Sequence, residues 1–303
     1  AALKNRNRGR HLITSAFEHH AVINSCCFLQ ELKYKITILP VERNGHVSTE
    51  SLQKALTPET TLVSIMLANN EIGTIQSISN LTQIVHENNT LFHSDAVQAV
   101  GHIPVDVNNL KVDLLSASAH KFNGPKGIGF LYLRKGTEIL SWSSGGKQEN
   151  NIRAGTENVA SIIGMAVALK KNVDNINEKM VYLRKLSDIL LRRLTDAGVD
   201  FLLNGDSDRL PGNLNISIRN QDGEALLHRL DLCGILVSTG AACNSGTSDA
   251  SHVIKALGTP REYANGTIRI SLSKDNTVED VLAISEAIIT IVTTPYPKRK
   301  INP

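Results

Sequence analysis

Thr61-Leu62-Val63-Ser64-Ile65-Met66-Leu67-Ala68, followed by Asn69-Asn70-Glu71-Ile72-Gly73, is the stretch that decides the fold. An almost unbroken apolar run of strand length suits a strand buried on both faces, the habit of a parallel sheet covered by helices. The neighbouring sequence repeats that rhythm. Residues 22–32 carry helical periodicity, residues 36–41 alternate as a strand, and Ser48 or Thr49 caps a helix that ends near Pro58. On the other side, residues 78–88 read as a helix, and residues 91–94, 112–116 and 128–133 as strands. Strands separated by helices of this length mean βαβ units and a mainly parallel sheet.

Polar segments follow the strands: Asn69-Asn70-Glu71-Ile72-Gly73, His93-Ser94-Asp95 and Ala119-His120-Lys121. Open α/β sheets bind ligands just past the strand carboxyl ends, so these segments are expected to line one pocket. Residues 160–197 form a long helical stretch with a break near 173–177. Beyond it, strands at 214–218, 235–238 and 268–272 mix with helices at 223–232, 248–257 and 278–293. The expectation is an α/β chain with a large domain over 1–175 and a smaller α+β domain over 176–303.

Composition narrows the function. Of 303 residues, 41% are hydrophobic and 20% charged, ordinary globular values. A net charge of +3, from 32 basic and 29 acidic residues, and aromatics at 4% point to no nucleic-acid or membrane partner. No apolar stretch reaches the length of a membrane span, and no apolar run follows the basic N-terminus, so no secretory signal is read there. The cysteines are Cys26, Cys27, Cys233 and Cys243, with no C-x-x-C and no metal-site spacing. No metal site is expected; free thiols fit a reducing compartment, the cytoplasm or an organelle matrix.

Some residues stand out chemically. Lys121 sits at a strand end before a glycine-rich turn, with Ser118 and His120 beside it to bind an anion. Burial of such an amine would lower its pKa and make it a nucleophile toward carbonyls. Asp95, beside another strand end, suits either a helix N-cap or a partner for a pyridinium N–H. Cys243, between Gly240 and Gly246, suits a reactive thiol on a mobile loop, whereas Cys26, Cys27 and Cys233 read as packing residues. Pattern alone leaves Arg269 equally suited to a carboxylate fork or to solvent, and His19 to ring stacking or to a solvated helix start.

Together these segments resemble the cysteine desulfurases, in the class V aminotransferase group of fold-type I pyridoxal-phosphate (PLP) enzymes. The resemblance rests on Glu18-His19-His20-Ala21-Val22, Asn69-Asn70-Glu71-Ile72-Gly73-Thr74, Asp95-Ala96-Val97-Gln98, Ser118-Ala119-His120-Lys121, Gly124-Pro125-Lys126-Gly127, Arg153-Ala154-Gly155-Thr156-Glu157-Asn158, Ala242-Cys243 and Ile268-Arg269-Ile270-Ser271-Leu272. They fall in the family's order across nearly all of the chain, and eight ordered segments are a specific signal.

The resemblance implies that Lys121 holds PLP through its amine and moves the substrate's Cα proton. It implies that Asp95 pairs with the ring nitrogen, Gln98 with the phenolic oxygen, and that His19 stacks on the ring. Ser118 and His120 would bind the phosphate, Thr156 would do so across a homodimer, and Asn70 and Arg269 would hold the substrate carboxylate. Cys243 would take the sulfur of L-cysteine as a persulfide, leaving alanine, for iron–sulfur scaffold or sulfur-carrier proteins. Two departures are visible. The family's N-terminal phosphate-gripping loop precedes the point where this sequence begins, which puts PLP affinity and the dimer surface in question. Its Gly-Gly-Gly-Gln-Glu-Arg-Gly loop reads Gly145-Gly146-Lys147-Gln148-Glu149-Asn150-Asn151 here. A selenocysteine lyase or cysteine/cystine lyase on the same fold, and a catalytically silent chain acting as a binding partner, are the alternative readings.

Overall fold

The apolar run at 61–68 forms an interior strand of a six-stranded sheet in the computed structural model, which describes residues 1–239 and 250–294. The chain divides into two units. The first comprises Ala1–Asn70, Thr74–Asn177 and Asp206–Leu210, and the second Glu71–Gly73, Glu178–Gly205 and Pro211–Pro303.

The first unit runs β1 (His11–Ser15), α1 (His20–Glu31), β2 (Lys35–Leu39), α2 (Thr49–Ala55), β3 (Thr60–Ser64), α3 (Ile78–Glu87), β4 (Leu91–Asp95), α4 (Val107–Leu110), β5 (Leu114–Ser118), β6 (Gly129–Leu133), α5 (Gln148–Asn151) and α6 (Val159–Val173). Sheet order is β2-β1-β3-β4-β5-β6. The first five strands are parallel and β6 pairs antiparallel with β5. Past the end of β3 the apolar run keeps bonding to β4: Ile65 N–H donates to His93 O (3.2 Å) and Leu67 N–H to Asp95 O (2.8 Å). Ile13, Val63, Phe92 and Leu115 are buried on these strands, as the continuous pattern requires.

The second unit takes most of α7 (Ile176–Asp196), then β7 (Phe201–Leu203), β8 (Asn213–Ile218), α8 (Gly223–Leu232), β9 (Ser238–Thr239), α9 (His252–Ala256), α10 (Arg261–Ala264), β10 (Thr267–Ser271) and α11 (Val278–Thr293). Its sheet is antiparallel, in the order β7-β8-β10-β9. Leu183, Leu186, Leu190 and Leu194 repeat at helical spacing along α7 and join Ile216, Ile268 and Ile288 in one core. Each such side chain contributes roughly 1.5–3 kcal/mol by leaving water. A capping box between Thr277 and Asp280 starts α11. The α/β class, with a large parallel sheet and a smaller α+β part, is the one expected.

Some expectations need correction. The strand expected at 235–238 is β9 at Ser238–Thr239, and Leu236 is 84% exposed. Cys26 is buried, but Cys27 and Cys233 are exposed rather than packed. Cys27 follows the inward-facing Cys26 on α1 and so turns outward, while Cys233 is the C-cap where α8 ends. Residues 240–249, with Cys243 and the start of the helix expected at 248, lie outside the described residues.

Candidate functional site

Because β1, β3, β4 and β5 run parallel, their carboxyl ends open on one side of the sheet. Glu18 and His19 follow β1, Asn69 and Asn70 follow β3, Asp95 ends β4 with Gln98 in the turn after it, and Ser118 ends β5. His120 and Lys121 stand on a single 3-10 turn, Ala119–Phe122, directly after β5.

Asp95 is 8% exposed. Its Oδ1 accepts from Val97 N–H at 2.9 Å and caps a turn; no helix begins here, so the helix N-cap weighed from sequence is not its role. Its second oxygen takes no hydrogen bond from the described residues. Burial pushes the carboxyl's pKa up; the Val97 N–H and the charges of His19 and Lys121 act in the other direction. His19, Asp95 and Lys121 are thus one electrostatic cluster.

His19 is the N-cap of α1, and its Nδ1 accepts from Ala21 N–H at 3.1 Å. The neutral ring therefore carries its proton on Nε2. Ser118 Oγ and His120 Nδ1 are 2.8 Å apart and share a hydrogen bond. Lys121 is exposed, not buried as the sequence argument required, because the 3-10 turn carries it clear of the strand end. Asn123 closes that turn in the left-handed conformation at φ 63°. Gly124 N–H then donates to Ala119 O at 2.8 Å, and a Cβ on Gly124 would meet Ala119 Cβ at 2.9 Å. The glycine is what lets the turn fold this tightly.

Other site candidates are more dispersed. Asn70 and Gln98 are half-buried, and Thr156 is exposed just before α6. Arg269 belongs to the second unit, where its Nη2 donates to Ser238 Oγ at 3.2 Å. In the loop that departs from the family pattern, Glu149, Asn150 and Asn151 have φ of 46°, 56° and 66°. Asparagine is the non-glycine residue best suited to that region, so two of the substitutions match the backbone they occupy.

Two titratable groups, one buried and one half-buried, carry no role in the sequence reading. Glu18 is fully buried; its Oε1 accepts from Ser15 Oγ (2.5 Å) and Met66 N–H (2.9 Å), and burial pushes it up to about 8. His93 lies between Ser64 Oγ and Ser116 Oγ, at 2.8 Å from each, and burial holds it down to about 4. The legible signal was positional: Ser64, His93 and Ser116 each stand in a strand that feeds the site. Among the described residues no group of three or more His, Cys, Asp or Glu side chains suits a metal ion, and no helix is long and apolar enough to cross a membrane.

The class-V aminotransferase family matches residues 1–284. A cysteine desulfurase IscS from Dictyoglomus turgidum is 50% identical over 302 residues, spanning 97% of this chain and 77% of the relative. A solved NifS-like protein is 40% identical at a TM-score of 0.88, over 96% of this chain and 77% of that one. A structure described as SspA in complex with cysteine is 30% identical at a TM-score of 0.76, over 91% of this chain and 77% of that one. With a mostly parallel sheet whose carboxyl ends gather His19, Asp95 and Lys121, and with relatives matched along nearly its whole length, the chain belongs to the class-V aminotransferase family of fold-type I pyridoxal-phosphate enzymes, among the cysteine desulfurases.

Proposed function

We propose that this chain converts L-cysteine to L-alanine with PLP and carries the sulfur off as a persulfide on Cys243. The observation that carries the reading is Asp95, a buried carboxylate with one oxygen open, beside His19 and Lys121 at the strand ends. The donor set fits PLP: an acceptor for a ring N–H, an amine for its aldehyde, a flat imidazole for its face and a Ser–His pair for its phosphate. Bound there, PLP supplies an electron sink for the Cα–H bond-breaking step.

The chain's own residues do the rest. Asp95 accepts the ring N–H and keeps the ring protonated, Gln98 hydrogen-bonds the phenolic oxygen, and His19 covers one face. Ser118 and His120 hold the phosphate. The Lys121 amine holds the cofactor's aldehyde carbon and then shuttles the Cα proton. Asn70 and Arg269 grip the substrate carboxylate, Arg269 by its fork. The Cys243 thiolate attacks the substrate sulfur; an S–S bond forms as the Cβ–S bond breaks, and the released electron pair stays with the carbon fragment, which is protonated to alanine. The balance is L-cysteine plus Cys243–SH giving L-alanine plus Cys243–S–SH, with no external oxidant. Iron–sulfur scaffold or sulfur-carrier proteins then accept the outer sulfur.

We read residues 1–175 as the cofactor-binding domain and 176–303 as the domain bearing Cys243. We also read the protein as a homodimer. Val159, Ile163 and Val167 form an i, i+4, i+8 stripe on α6, each at least 50% exposed, and α6 buries no residue within the chain. The stripe begins three residues after Thr156, the residue read as reaching the second copy's phosphate. The test is alanine and persulfide formation from L-cysteine. Cys243→Ala is expected to abolish the persulfide; a variant that still mobilises sulfur at the normal rate overturns that role.

A further inference from the structure

We propose that Glu18 is a positioning residue of this site, clamping the backbone that carries His19 onto the end of β3 and setting the charge beside Asp95. The inference rests on the ring-stacking and ring-nitrogen roles proposed for His19 and Asp95. The connection between β1 and α1 is only four residues long, Ala16 to His19, and it is held from two directions. From within it, Glu18 Oε1 receives Ser15 Oγ–H at the end of β1 and Met66 N–H beyond the end of β3. From the segment after β3, the buried Asn69 Nδ2 donates to Phe17 O at 2.8 Å. His19 comes next, pinned in turn as the N-cap of α1. A ring that must lie flat on a cofactor needs its Cα fixed to a fraction of an ångström, and this double tie supplies that.

The same carboxyl controls charge. Asp95 at the end of β4 and Cys26 on α1 feel Glu18, while His19 and Lys121 interact with Asp95. Burial keeps Glu18 protonated through neutral pH, so it adds no charge beside Asp95. Since Oε1 takes both donors, the proton sits on Oε2. Loss of that proton places a second negative charge beside Asp95 and changes the field at the adjacent His19.

The experiment is NMR on the protein without added PLP, following the Glu18 carboxyl carbon and the His19 ring through pH 6–9.5. The expected result is a Glu18 step near 8 mirrored in the His19 signals. Glu18→Gln keeps the Oε1 acceptor and removes the charge, so the mirrored step should vanish. Glu18→Ala loses the clamp; PLP affinity should fall about ten-fold or more, the scale of a displaced positioning group, and Gln should restore it. A His19 step that survives in Glu18→Gln, or Glu18→Ala with wild-type PLP affinity, overturns the proposal. Borohydride trapping of PLP on Lys121 in the wild type separates the two readings: without an adduct the cofactor reading fails, while the NMR arms still decide the clamp.

Discussion

Asp95 meets two demands with two oxygens. One caps its own turn through Val97 N–H, and in the proposed function the other takes the ring N–H. Asparagine preserves the first and removes the charge behind the second. Asp95→Asn should therefore melt near the wild-type temperature while turnover of L-cysteine falls on the order of 10²-fold; a single melting curve and an alanine assay check this. His93 makes a pH prediction. Its folded value is about 4 against an ordinary 6.5, so between these the unfolded chain binds a proton that the folded chain refuses. Stability is complete above 6.5 and is lost as pH falls toward 4, by up to ~1.4 kcal/mol per pH unit. Urea melts from pH 7 to 4 should show this slope, and His93→Gln should flatten it. Asp95 and Lys121 were legible in sequence because a strand end can be read from an apolar run. The burial of Glu18 and His93 was not, since whether a polar side chain is enclosed depends on which strands lie beside it.

Elements differ in how plainly they announce themselves. α11 and α8 begin and end where periodicity and caps put them, and the break between α6 and α7 falls at residues 174–175, inside the stretch read from sequence. β1 went unread although it lies inside the sheet between β2 and β3. Its five residues, His11 to Ser15, are all buried, so no alternation marks them, and His11 is at home only because Thr60 and Thr37 hydroxyls lie 2.8 Å from its two ring nitrogens. Such partners come from other strands and leave no local trace. At the other edge, β6 lies close on β5 at Gly129, opposite Ser118, where an added Cβ would run into the Ala117 carbonyl. Gly129→Ala should cost roughly 1–3 kcal/mol and shift Ser118. A lowered melting temperature together with weaker PLP binding is the expected pair of results.

At the scale of the whole molecule, the proposed homodimer is tested at the α6 stripe. Ile163→Glu puts a charge at its centre, and sedimentation should show a dimer become a monomer with its circular dichroism intact. A variant that stays dimeric at micromolar concentration places the contact elsewhere.

The strand order has a consequence for how the chain is made. In β2-β1-β3-β4-β5-β6, β3 docks on the free edge of β1, and every strand from β4 onward docks on the edge its predecessor has just exposed. From β3 onward a nascent chain leaving the ribosome can lay the sheet down in the order of synthesis. His19, Asn70, Asp95 and Lys121 emerge in chain order, each at or just past the end of its own strand. Once Leu133 is out, every strand of that sheet is in hand, and what this unit still awaits from far along the sequence is the short return at Asp206–Leu210.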